Sequence, residues 1–120
     1  MQLQNNTINY VEFPARDLEQ SKAFFSQVFG WSFTDFGEEY TAFDQQGIQG
    51  GFFKADLTSD TRTGAALIVL YHDDLESIQA KVEAAGGVIC KPIFSFPGGR
   101  RFHFTEPSGN ELAVWSDQGI

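Results

Sequence analysis

The sequence predicts an α+β domain made of two tandem β-α-β-β-β modules that form a half-open barrel around a cleft. Two observations carry this. Asp17-Leu18-Glu19 opens a helical run that Gly30 ends, and Asp74-Leu75-Glu76 opens another that Gly87 ends. The same marks therefore recur 57 residues on (17 to 74, 30 to 87), and Ala23 and Ala80 match at that spacing. In addition, a strand-like run precedes each Asp (residues 8–13 and 67–71), and three short apolar runs follow each Gly. Self-similarity at a fixed period marks a duplicated unit, and two joined units create a cleft that neither has alone.

In order along the chain, the first strand covers residues 8–13 and Pro14-Ala15-Arg16 breaks it. Asp17 caps the first helix, with Gln20 three residues on as its capping-box partner. Leu18, Phe24, Phe25, Val28 and Phe29 form the apolar face of this helix, residues 18–29. Residues 32–36, 40–43 and 49–53 read as strands, separated by the turns Gly37-Glu38-Glu39 and Asp44-Gln45-Gln46-Gly47. Residues 56–64 are polar, lack apolar periodicity, and link the modules, about 5–55 and about 65–117. In the second module Leu75, Ile78, Val82 and Ala85 fall at i, i+3, i+7 and i+10, a helical stripe over residues 75–85. Residues 88–96, 100–104 and 111–115 are the remaining strands, joined by Pro97-Gly98-Gly99 and Pro107-Ser108-Gly109-Asn110.

Composition narrows the function. Residues 1–120 make one domain, large enough to need no disulfide or structural metal. A formal charge of −8 repels a phosphate backbone, and the eight Lys and Arg form no basic run, so nucleic acid is excluded as a partner. No apolar run approaches the ~20 residues of a membrane span. The polar start (Met1-Gln2-Leu3-Gln4-Asn5-Asn6) and the single Cys90 point to a reducing, cytoplasmic setting, and Cys90, in a β-branched run, reads as inert packing. Thirteen Phe suit a packed sheet core and equally an aromatic-lined pocket. A small molecule or another protein remains as partner.

The Asp-Leu-Glu at each helix start, Phe29-Gly30-Trp31 after the first helix and Glu106-Pro107-Ser108-Gly109-Asn110-Glu111 before the last strand resemble the vicinal oxygen chelate superfamily, the group of glyoxalase I, bleomycin- and fosfomycin-resistance proteins and extradiol dioxygenases. The resemblance covers residues 5 to 117. It implies a divalent metal held by first- and last-strand side chains of each module, at positions that here read Tyr10, Gly51, Leu67 and Ala113, with Gln49 as the alternative register for Gly51. Three of these cannot ligate and phenol is a poor ligand for such ions, so no metal and no cofactor is expected.

Strand alternation places Glu12 on the face of Tyr10, Glu111 and Trp115 on the face of Ala113, and Arg101 with His103 opposite two core-facing phenylalanines. The expected cleft then holds Glu12, His103 and Glu111 as acid–base groups, with Tyr10, Gln49, Arg101 and Trp115 as ligand contacts. The same pattern fits a rim ion pair from Glu12 or Glu111 to Arg100 or Arg101, a hydrogen-bonded core histidine at 103, and core or interface roles for Trp31, Tyr40 and Trp115. His72 reads as a surface or capping residue. Three functions are compatible: metal-free binding of a small organic ligand by a homodimeric, glyoxalase-like protein; a lyase, isomerase or dioxygenase-type enzyme using a carboxylate base or a metal site rebuilt from Glu12, Gln49, His103 and Glu111; and a dimerisation module whose cleft is filled. The first is the leading expectation.

Overall fold

The computed structural model describes residues 3–45 and 47–119. Met1, Gln2 and the turn residue Gln46, on which parts of the sequence reading fall, lie outside them. The elements run β1 (Tyr10–Ala15), α1 (Leu18–Phe29), β2 (Ser32–Asp35), β3 (Tyr40–Asp44), β4 (Gln49–Lys54), a 3-10 turn (Thr61–Thr63), β5 (Ile68–Tyr71), α2 (Leu75–Ala84), β6 (Val88–Phe96), β7 (Gly99–Thr105) and β8 (Glu111–Ser116). They make two four-stranded mixed sheets of identical topology, β1-β4-β3-β2 and β5-β8-β7-β6. In each, the first strand pairs parallel with the last and the other pairs are antiparallel. The fold is thus α+β, two β-α-β-β-β modules in a half-open cup with no closed barrel.

The helix starts follow the sequence marks. Asp17 Oδ1 accepts from the Glu19 and Gln20 N–H groups at 3.0 and 3.2 Å, and Asp74 Oδ1 accepts from Ser77 N–H at 3.1 Å. Each bond satisfies an amide the helix cannot pair itself. Among the described residues Gln20 returns no side-chain bond to Asp17, so the cap is one-sided.

The structure departs from expectation at Pro14, at Gly87 and at Cys90. Pro14 does not break β1; it pairs with Phe53 in the parallel ladder, which an edge strand allows because the missing N–H leaves no central partner unmet. Helix α2 ends at Ala84, and the left-handed turn is made by Gly86 (φ 97°) rather than Gly87. Gly87 is glycine for a different reason: a Cβ there would press on Val82 and the Phe24 ring. Cys90, expected to be packed inside, is exposed: it follows Ile89, which packs on the core, and alternation turns it outward with Val88.

One apolar core spans both modules and centres on α1. Phe25 stacks on Trp31 (centroids 4.6 Å apart) and tilts against Phe52 of the first sheet, while Phe24 and Phe29 reach Phe104 of the second at 5.8 and 6.0 Å. Burying each such ring contributes about 1.5–3 kcal/mol. The 106–110 turn bolts the modules together. Asn110 Nδ2 donates to Pro14 O (2.7 Å), its Oδ1 accepts from Ser59 N–H (2.8 Å), and the buried Glu106 carboxyl accepts from Ser21 Oγ, Asn110 Nδ2 and the Ser108 N–H. Burial pushes the Glu106 carboxyl above its usual range, against the pull of these bonds. No helix among the described residues is long and apolar enough to cross a membrane.

Candidate functional site

With the helices on one side of each sheet, the residues singled out by sequence lie on the other, open side. They fall into two sets, and among the described residues no hydrogen bond, ion pair or ring contact joins one set to the other.

The first set sits on β1, β3 and β4. Tyr10 and Tyr40 hydroxyls are 2.5 Å apart, and Tyr40 donates to Glu12 Oε2 at 2.9 Å, so Tyr10 donates to Tyr40. Burial, together with these two bonds, raises the Tyr40 phenol far above its usual range and keeps it protonated. Gln49 lies beside Tyr10 as its partner in the ladder. Gly51 is glycine because the Tyr40 hydroxyl rests where a Cβ would be.

The second set sits on β7 and β8. Arg101 pairs with Trp115, and His103 with Ala113, across the antiparallel ladder. Arg101 lies over the rings of Phe94 and Phe96 (5.3 and 5.6 Å to the centroids), and the His103 ring is 5.8 Å from that of Phe94. Trp115 packs between Phe96 and Tyr71. His103 is 4% exposed. Its Nδ1 is 3.3 Å from Glu111 Oε2, while Glu111 Oε1 accepts from the Thr61 N–H (2.8 Å) and hydroxyl (2.7 Å).

Burial tends to raise the Glu111 carboxyl, but the bonds from Thr61 and His103 outweigh it and hold it below the usual range. Burial pushes the His103 imidazole down, with Arg101 and Lys91 adding to the effect and Glu111 opposing it. The pair is a neutral imidazole donating to a carboxylate. Two buried polar atoms on this face, Arg101 Nε and His103 Nε2, have no partner among the described residues.

The ion-pair reading of the carboxylates does not hold. Arg100 forks onto Glu76 (2.7 and 3.2 Å), and neither arginine reaches Glu12 or Glu111. Trp31 is a core residue, and His72 accepts from the Asp74 N–H at 2.9 Å at the start of α2. Phe94, Phe96, Tyr71 and Thr61 were not singled out by sequence. Thr61 acts across 50 residues of chain, and the register shift between Lys91 and Phe94 hides the alternation that would have placed Phe94 opposite Arg101.

Two of the positions matched to metal ligands are occupied by packing. The Tyr40 phenol takes the space over Gly51, Ala113 is fully buried between Val69 and His103, and among the described residues no group of three or more His, Cys, Asp or Glu could hold a metal. Elsewhere, a groove of about 440 Å³ between the modules is lined by Phe13, Phe29, Trp31, Phe43, Ile68 and Leu70, among others. It also takes in Tyr71 and His72, but none of Tyr10, Glu12, Gln49, Arg101, His103, Glu111 or Trp115.

The model of the Glyoxalase/Bleomycin resistance protein/Dioxygenase superfamily matches residues 7–114. No curated protein matches the chain. Among solved structures, a glyoxalase/bleomycin resistance protein/dioxygenase family enzyme from Burkholderia phytofirmans PsJN is 18% identical with a TM-score of 0.78, covering 91% of this chain and 97% of that one. A lactoylglutathione lyase from Agrobacterium tumefaciens is 18% identical (TM-score 0.69; 92% and 93% covered). The E126Q variant of the fosfomycin resistance protein FosX from Listeria monocytogenes, solved with Mn(II) and 1S,2S-dihydroxypropylphosphonic acid, is 15% identical (TM-score 0.75; 98% and 94% covered).

Proposed function

Because the chain belongs to the Glyoxalase/Bleomycin resistance protein/Dioxygenase superfamily, we propose that it binds a small organic ligand with an anionic group on the open face of β6 to β8, without a metal. One observation carries this reading: Arg101 Nε and His103 Nε2 are both buried without a partner on a face walled by Phe94, Phe96 and Trp115. Buried polar groups are normally paired, and each orphan costs about 1–3 kcal/mol. A ligand that pairs them recovers that cost. In a chain of net charge −8, an arginine with no carboxylate partner among the described residues is a fitting hook for an anion.

The ligand is enclosed when a second copy covers the open faces. Ile8, Phe36, Val69 and Tyr71 are exposed apolar side chains, Ile8 at 86%, and a homodimer would bury them. An enzymatic reading has its own support, since a neutral histidine oriented by a carboxylate is equipped to accept a proton.

The test is a thermal-shift screen of small organic acids and antibiotics, with chelator present, on wild type and Arg101→Ala. A compound that raises the melting temperature of wild type alone supports the proposal. No shift from any compound, or hits that persist in Arg101→Ala, overturns it. Assaying each hit for chemical change separates binding from turnover.

A further inference from the structure

Arg101 and His103 differ in what they lack. Arginine has only donors to offer, and its Nε is unmet. The state of His103 is set by its neighbour. Glu111 Oε1 takes two hydrogens from Thr61, and the carboxyl, held below the usual range, is ionised and can only accept. The hydrogen between Glu111 Oε2 and His103 therefore belongs to Nδ1. Nε2 carries the lone pair, and it is this acceptor that lies buried without a partner. The two residues are alternate positions on one strand face, roughly 6.6 Å apart along the strand. The face thus presents an unmet donor followed by an unmet acceptor.

We infer, taking the open face as the ligand site, that its ligands are small carboxylates that also carry a hydroxyl or amine: the carboxylate pairs with Arg101, and the hydroxyl or amine donates its hydrogen to His103 Nε2. Glu111 is the positioning residue, because it fixes the histidine tautomer. Oxo acids and dicarboxylates are discriminated against, since each brings an acceptor to an acceptor. Phe94 is the movable piece. Its ring contacts both side chains, and it sits just past a register shift, between Lys91 and Phe94, where the β6–β7 ladder is already irregular. In this inference the ligand reaches the two groups by displacing the Phe94 ring, with the Phe96 ring remaining against Arg101.

The experiment is calorimetric titration of the intact protein with four matched probes: 3-hydroxybutyrate, 4-hydroxybutyrate, butyrate and acetoacetate. At least one hydroxybutyrate should bind about tenfold more tightly than butyrate and acetoacetate, because only a donor relieves the buried acceptor. Glu111→Gln gives the diagnostic reading. The Thr61 N–H keeps the amide oxygen at the Oε1 place, so the amide NH2 faces Nδ1 and the imidazole hydrogen moves to Nε2; a hydroxyl accepts as well as donates, so acetoacetate should then bind as tightly as the hydroxy acids, and the tenfold gap between them should close. His103→Phe should erase the ranking, and it carries the test alone if circular dichroism shows Glu111→Gln unfolded. Equal binding of all four probes, or a ranking unchanged by the substitutions, overturns the inference and leaves the face standing as a site. No binding of any probe overturns the inference and the site together.

Discussion

The two open faces come from the same repeated unit and treat their polar groups in opposite ways. On the first sheet Tyr10, Tyr40 and Glu12 satisfy one another, and the Tyr40 ring fills the space over Gly51. On the second, Glu111 is saturated, yet its partner His103 and neighbouring Arg101 keep buried atoms without partners under an aromatic cover. A self-satisfied cluster behaves as packing and asks nothing of a ligand. An unsatisfied one is held in place at a cost, and that cost is the reason the second face is proposed as the site.

The comparison breaks most sharply at Arg101. Replacing it with alanine removes a charge-assisted bond, and affinity for any bound acid should fall about ten- to a hundredfold, measured by titration, with little change in melting temperature. The converse belongs to the first sheet. Gly51→Ala drives a methyl into the Tyr40 hydroxyl and to 2.8 Å from Thr41 O, and should cost about 1–3 kcal/mol in urea unfolding while leaving affinity at the second sheet unchanged.

Acid should separate the faces next. His103 is held below its ordinary 6.5, so as pH falls through that value the unfolded chain takes up the proton first and stability drops. Glu111, held below 4.5, adds a second loss at lower pH, since its stabilisation is present above the unfolded value and disappears as pH falls through the folded one. In His103→Phe the upper step should vanish from the stability–pH curve while the lower persists. The smallest effect is expected from Tyr10→Phe, which removes one exposed hydrogen bond and should cost less than about 1 kcal/mol.

The fold was largely legible because its signals are local. The caps at Asp17 and Asp74, the stop at Gly30 and the helical stripe from Leu75 need no knowledge of the rest of the chain. Pro14 misled because its tolerance depends on β1 being an edge, which is a property of the sheet. At the site, alternation alone put Arg101, His103, Glu111 and Trp115 on one face. It failed for Phe94, since β6 drops out of register between Lys91 and Phe94, and for Thr61, whose contact with Glu111 is made by an irregular linker. Nor could periodicity within a module show that Glu12 has no contact with His103, because that depends on how α1 packs between the modules.

The most direct measurement is amide chemical-shift mapping of the labelled protein during titration with the hydroxybutyrates. Perturbations should cluster on Phe94, Phe96, Arg101, His103 and Trp115 and leave Tyr10, Glu12 and Tyr40 unmoved. Perturbations centred on Tyr10, Glu12 and Tyr40, or along the Phe29–Ile68 groove between the modules, would contradict the assignment of the site to the second sheet.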